Sequence, residues 1–310
     1  MFFGSSLSAK RRGERILMTT AVLHGLFPIV IHAGAMRMPP IFFGAISLLL
    51  ASLLAGVFLL RSPRLLGKSV IRWITLRDIG LVALCNLVIP IVLISEGTRM
   101  TTGINTALLL QAEMLFTFLF CVVLFGERMR AMRLGGAVCV FAGTVFILLS
   151  GEAQWSTGNI LIILATVLYP FGNLISKRLL GLLSVTEILF LRSLFAGVAL
   201  LILSLLIEDI HLADLPWSYV WWLILVQGAC VFFLAKLLWY EGLKVISVSR
   251  AVFLVSSSPA FSLFFAIVFL REIPTFPQLI GFVVTMAGVL LLTWHTPKKP
   301  SPTPVLSPAL

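Results

Sequence analysis

Long apolar runs alternate with short polar interruptions along the whole chain, and the runs are of one size. Ten blocks stand out, at 16–35, 40–60, 79–97, 104–125, 132–150, 158–176, 185–207, 218–240, 250–270 and 276–294. Each is long enough to cross a hydrocarbon core of about 30 Å as an α-helix. Such a core offers no water to backbone N–H and C=O groups, so a single apolar run crossing it has to be helical. The pattern predicts an all-α polytopic membrane protein with ten transmembrane helices. The stretch that follows, 295–310, is Pro-rich and polar and reads as a disordered cytoplasmic tail.

Composition agrees. The chain has 310 residues, 60% hydrophobic and 11% charged, with mean hydropathy +1.10; soluble domains carry about 25% charged residues. A net charge of +11 would point to nucleic acid in a soluble protein, but its distribution gives it another use. With the N-terminus in the cytoplasm, eighteen of the 23 Lys and Arg fall in cytoplasmic segments: the basic N-terminal segment 1–15, the loop 61–78, GERMRAMR at 126–133, Lys177, Arg178, Lys244, Arg250 and the tail. The outer loops hold only Arg37, Arg99 and Arg271. This is the positive-inside bias of a bacterial inner-membrane protein with both termini cytoplasmic, and nucleic acid is not an expected partner. KRRGER followed by an apolar run and HAGA resembles a cleaved signal, but the run is long for one and pairs with a block 145 residues later. Cys85, Cys121, Cys139 and Cys230 all lie inside blocks at no metal-ligand spacing. They read as small apolar residues, with no disulfide, metal or cofactor implied.

Two segments repeat one another. LFGERMRAMRLGGAVCVFAG (124–143) and FLREIPTFPQLIGFVVTMAG (269–288) match at Glu127/Glu272, Gly136/Gly281 and Gly143/Gly288, among others, at a shift of 145. The same shift pairs Glu96 with Glu241 and Gly97 with Gly242. Matches of scarce Gly and Glu outweigh those of abundant Leu and Val, so the chain reads as a duplication of 16–150 into 151–294. Five spans is an odd number, so the second copy enters the membrane from the opposite side. Loop charges agree: the basic loop 61–78 has as its counterpart the acidic Glu208, Asp209 and Asp214. Two inverted-topology five-helix repeats are the framework of many secondary transporters.

These features carry a resemblance. LFGER at 124–128, LREIP at 270–274 and the G-x6-G spacing at Gly136/Gly143 and Gly281/Gly288 resemble the drug/metabolite transporter superfamily, in particular its EamA-type permeases, over nearly the whole chain. The resemblance implies a permease for small organic solutes, often an exporter. Two positions depart from the pattern: Met114 stands opposite Pro259, and Ser47 opposite Arg192.

Ionisable groups deep in a bilayer are costly and mark function by default. Glu113 lies nine positions into its block, about 14 Å from the end and near the midplane. Arg192 is about 10 Å in from the cytoplasmic side, with pairing to Glu113 or snorkelling as its alternatives. Lys236, four residues from the end of its block, reads as a snorkelling residue. His24 and its repeat counterpart Tyr169 sit at mid-depth beside Gly and Pro, in HGLFP and YPFGN, which adds Asn173. Pro28, Pro90, Pro170 and Pro259 are candidate helix breaks, and paired interruptions point to a transporter's substrate site. Asn86, Gln111, Gln227, Ser256 and Ser258 add polar atoms at depth. His32 reads as interfacial, Asp78 as a surface residue, and PWSYVWW at 216–222 as an interfacial anchor belt. Gly135, Cys139 and Gly143 put small residues four apart on one packing face, and Glu127 and Glu272 read as loop-ordering or capping residues.

A site of one acid, one imidazole, amides, hydroxyls and aromatic faces suits a small zwitterionic or cationic solute, such as an amino acid or a drug-like compound. Alternating access would carry it, with Glu113 and His24 as candidates for proton coupling. Sugar phosphates or nucleotide sugars are the alternative and would want two or more buried cations. A non-transporting scaffold would tolerate Leu at the polar midplane positions. No H-E-x-x-H, nucleophile elbow or phosphate loop supports an enzyme. Expected partners are the lipid bilayer and a small-molecule solute; a homodimer remains open.

Overall fold

The apolar blocks become helices whose ends are set by local chemistry. The structure, a computed structural model, describes residues 2–61, 73–125, 131–148, 156–246, 251 and 254–293. Among these, nine helices are long and apolar enough to cross a membrane: α1 (Arg11–Ala35), α2 (Pro40–Leu60), α3 (Trp73–Arg99), α4 (Gly103–Val123), α5 (Ala131–Leu148), α6 (Thr157–Leu179), α7 (Val185–Ile207), α8 (Trp217–Leu243) and α10 (Phe276–Thr293). The tenth, α9 (Ser258–Leu270), is shorter. Pro40 starts α2, where a missing N–H costs nothing. Side chains at the N-caps Thr102 and Ser156 accept from the backbone of Asn105 and Asn159. Ser184 and Glu187 form a reciprocal capping box at α7. Several of the polar segments lie outside the described residues, among them Glu127, Arg250, most of 61–78 and the tail 295–310.

Equivalent helices pack against each other in opposite directions, which is the inversion in coordinates. A Cβ added to Gly136 of α5 would lie 2.9 Å from the Gly288 carbonyl of α10, and one added to Gly143 would lie 2.9 Å from that of Gly281. Ascending positions on one helix meet descending positions on the other. The pair α2 and α7 behaves likewise: Gly44 faces Leu200, Gly197 faces Leu49, and Ser52 Oγ donates to the Phe190 carbonyl at 3.1 Å. The two halves also interlock, because α1 packs on α8 and α9 of the second half and α6 on α3 and α4 of the first.

The packing face of α5 differs from the one expected. Gly136 and Gly143 face α10, whereas a Cβ on Gly135 would meet nothing within 4 Å. Seven residues bring a helix back to nearly the same face, and the single-residue offset to Gly135 turns it by about 100°.

Irregular backbone recurs at equivalent places. α3 contains a π-helical turn at Leu84–Val88 and α8 one at Val226–Ala235; the shift of 145 carries the first onto 229–233. Such turns concentrate at functional sites. α4 is interrupted at 110–111 and the chain entering α9 at 256–257. There Gln111 N–H donates to the Leu108 carbonyl (3.1 Å) and Ser257 N–H to that of Leu254 (3.3 Å), three residues back. Pro90 and Pro259 stand in the first turns that follow such irregularities. Pro28 and Pro170 do not break their helices, contrary to expectation; α1 and α6 run through both. Close neighbours hold these turns in place: Gly25 of α1 lies against Phe261 and the Ser258 carbonyl, and Gly172 of α6 against Asn86.

Candidate functional site

The close approach of α6 to α3 begins the site. Gly172 leaves the volume that the Asn86 side chain fills. Asn86, on the π turn of α3, donates from Nδ2 to Asn173 Oδ1 at 3.1 Å. Asn173 in turn donates from Nδ2 to Glu113 Oε1 at 3.3 Å, just past the interruption of α4. Tyr169 lies one turn before Asn173 on the same face of α6 and within electrostatic reach of Glu113. Three helices thus present one carboxylate held by a relay of amides.

The second half and α1 bring the opposite charge. Lys236 on α8 lies within electrostatic reach of both Glu113 and Arg192, and His24 on α1 within reach of Lys236 and Arg192. Arg192 on α7 is 4% exposed and lies within electrostatic reach of Tyr240, one turn beyond Lys236 on α8. Glu113, Arg192 and Lys236 are in none of the ion pairs seen among the described residues, which include those of Asp78, Glu96, Glu241 and Glu272. The Glu113–Arg192 pairing allowed by the sequence is therefore not formed. The buried His24 Nε2, Asn86 Oδ1 and Arg192 Nε have no protein hydrogen-bond partner. Buried polar atoms are usually satisfied, so an open group within a charge cluster calls for an explanation.

Other expected site residues stay outside this cluster. Gln111 donates back to the Ala107 carbonyl of its own helix at 3.4 Å. Gln227 is buried with Oε1 unpartnered, but precedes Lys236 by nine residues, roughly 14 Å along a helix. Ser256 is buried at the interruption before α9, and the Ser258 carbonyl accepts from Ser262 Oγ at 3.2 Å. No group of His, Cys, Asp or Glu among the described residues could hold a metal ion.

One end of the bundle is closed by a carboxylate latch. This end carries the loops 36–39, 100–102, 208–216 and 271–275 and is poor in arginine. Glu272 accepts from the Gly103 and Ile104 N–H groups at 2.8 and 2.7 Å, capping α4 of the other half. His32 Nε2 lies 3.8 Å from the same carboxylate, while its Nδ1 is 2.8 Å from Thr98 Oγ1. Gln278 donates to Asn105 at 2.8 Å beside it. Glu208 caps α2 in the same way, through Ile41 and Phe42 N–H at 2.8 and 2.9 Å. His32, expected at an interface, is thus part of the latch. A polar cleft of about 480 Å³ at this end, between Arg37, Arg99 and Asp209, and an apolar one of about 310 Å³ between Phe116 and Phe171 are separate from the charge cluster.

Comparison with known proteins sets this geometry in a family. The profile of the EamA-like transporter family matches residues 11–149 and again 156–294. The chain belongs to the EamA-like transporter family. Its members named among the relatives are transporters, so this is a membrane transport protein and not an enzyme. A transporter from Methanothermobacter thermautotrophicus is 28% identical over 69% of this chain and 64% of its own length. The Bacillus subtilis transporter YoaV is 20% identical over 90% of this chain and 95% of its own. A protein of Streptantibioticus cattleyicolor named a probable terminal-alkyne amino-acid exporter is 27% identical over 71% of this chain and 75% of its own. A solved crystal structure superposes with a TM-score of 0.66 at 16% identity, covering 92% of this chain and 97% of that one; the likeness is one of fold.

Within this EamA-like frame, sequence reading set Lys236 too near the surface and did not single out Tyr240. Block 218–240 ends short of the helix, which continues to Leu243. That places Lys236 seven residues, about 10 Å, from the helix end instead of four. The same extension explains Asp78: α3 begins at Trp73, and Asp78 is buried, 3.1 Å from Arg77 and 4.0 Å from Arg178 of α6.

Proposed function

We propose that the protein is a secondary carrier that exports small zwitterionic organic solutes, in the amino-acid class, by alternating access. The observation that carries this reading is the cluster of one carboxylate and two cations, contributed by both halves, without an ion pair among them. A protein needing these charges only for its own stability would pair them, since an unpaired charge in a dry interior is strongly destabilising. Inverted halves meeting at such a site can rock about it and expose it to either side in turn. Glu113 is the coupling group in this scheme, and His24 shares the site from α1, within electrostatic reach of Lys236 and Arg192. The positive-inside bias supports cytoplasmic termini, in a bacterial inner membrane, with the latch on the outer face. The exporter name of the S. cattleyicolor relative supports the solute class and direction.

The test is counterflow. Purified protein in liposomes preloaded with unlabelled L-leucine or L-phenylalanine should accumulate the labelled amino acid at least tenfold over empty liposomes. Equal accumulation in protein-free liposomes would remove the carrier of amino acids. One observation favours a second reading: Lys236 joins Arg192 to place two cations at depth, as a phosphorylated solute requires. Glu113 opposes it, because a carboxylate repels a phosphate.

A further inference from the structure

Arg192 and Lys236 form a problem that the protein does not solve with its own residues. Arg192 is almost fully buried on α7 and its Nε finds no hydrogen-bond acceptor. Lys236 is half-buried on the segment of α8 that packs against both α7 and α1. Like charges repel more strongly as the surroundings dry, so their approach needs an anion. Acidic residues seen in ion pairs among the described residues are held elsewhere, such as Asp78 by Arg77 and Arg178, Glu96 by Arg99, Glu241 by Lys244 and Glu272 near His32. Glu113 is turned toward α6, where Asn173 donates to it. The planar guanidinium of Arg192 and the ammonium of Lys236 are together suited to a planar two-oxygen anion.

We infer that Arg192 and Lys236 are the subsite for the carboxylate of the solute, whose ammonium faces Glu113 on the opposite wall. The inference rests on the carrier reading above and adds which end of the solute each charge takes. Specificity follows by charge. An amine lacking the carboxylate leaves two cations unmatched, and a carboxylic acid lacking the amine leaves Glu113 unmatched. Each is rejected relative to the intact amino acid, because a site's unpaired polar groups discriminate strongly against a partner that lacks their complement.

The experiment is counterflow with a matched set, L-leucine, isoamylamine and 4-methylpentanoate, in proteoliposomes of wild type, Lys236→Gln and Arg192→Lys. Glucose 6-phosphate is a fourth arm. Wild type should carry leucine at least tenfold faster than the amine, the acid or the phosphate. Lys236→Gln should lose at least tenfold on leucine and not on isoamylamine. Its ligand-free thermal midpoint should be equal to or above that of wild type, since a like charge beside Arg192 is removed. A purely structural Lys236 would instead lower that midpoint and depress all arms together. Arg192→Lys, which keeps charge but not the planar fork, should carry leucine at an intermediate rate. Isoamylamine or glucose 6-phosphate carried in preference to leucine overturns the inference while leaving a carrier. Absence of traffic in every arm, from protein that remains folded and monodisperse, overturns both.

Discussion

Glu113→Gln is expected to lower solute transport at least 100-fold while the protein stays folded. Glutamine keeps the shape and an oxygen that can accept from Asn173, so the amide relay from Asn86 survives. It cannot carry negative charge or a proton. The substitution removes the carboxylate that would meet a solute ammonium, across from the buried Arg192 and the half-buried Lys236. Two factors of ten correspond to about 2.7 kcal/mol, within the range of about 2–5 kcal/mol lost when one partner of a buried charge pair is removed from a binding interface. The assay is amino-acid movement in proteoliposomes under an imposed pH gradient. Full gradient-driven movement in Glu113→Gln would show that another group couples the proton.

Gly143→Leu is expected to abolish the folded state in detergent, and Gly135→Leu to leave it intact. A Cβ at Gly143 would run into Thr285 Oγ1 and approach the Gly281 carbonyl to 2.9 Å. The latter is helix backbone, which cannot swing aside as a side chain can. Helices in a membrane associate through close packing of small residues, so separating α5 from α10 forfeits the contact itself. Overpacking of this kind costs about 1–3 kcal/mol even with side chains as neighbours. At Gly135 a new Cβ meets nothing within 4 Å. Fluorescence-detected size exclusion after a heating series reads the difference: an aggregated Gly143→Leu beside a monodisperse Gly135→Leu. Equal midpoints for the two would contradict the packing described.

What was legible in the sequence follows from which signals are local. The spans were, because apolar runs of one length need no partner to be recognised. The inversion was, because scarce residues such as Gly136, Gly281 and Glu272 recur at one shift beside loops of opposite charge. The interruption of α4 could be found only through its counterpart: LLLQAEM has no proline, but the equivalent LVSSSPA has Pro259. Asn86, Glu113, Tyr169, Asn173, Arg192 and His24 were identified as polar residues at depth; the fold groups the first four, and His24 and Arg192 with Lys236. Lys236 was misread because an error of one helical turn at a span edge decides whether a lysine reaches the surface. The partner of Glu272 was invisible, since Gly103 is 169 residues away and offers only backbone N–H groups. The phase of the α5 glycines turned on one residue.

Alternating access about the central charge cluster is tested most directly by holding the latch shut. The native Cys85, Cys121, Cys139 and Cys230 are first replaced, and cysteines are introduced at Met100 and Ile273, which are 52% and 87% exposed on the loops that the Glu272 latch joins. Bridging them with a cleavable bis-methanethiosulfonate should stop leucine counterflow, and dithiothreitol should restore it. Counterflow that continues at the unbridged rate with the bridge in place would contradict the mechanism.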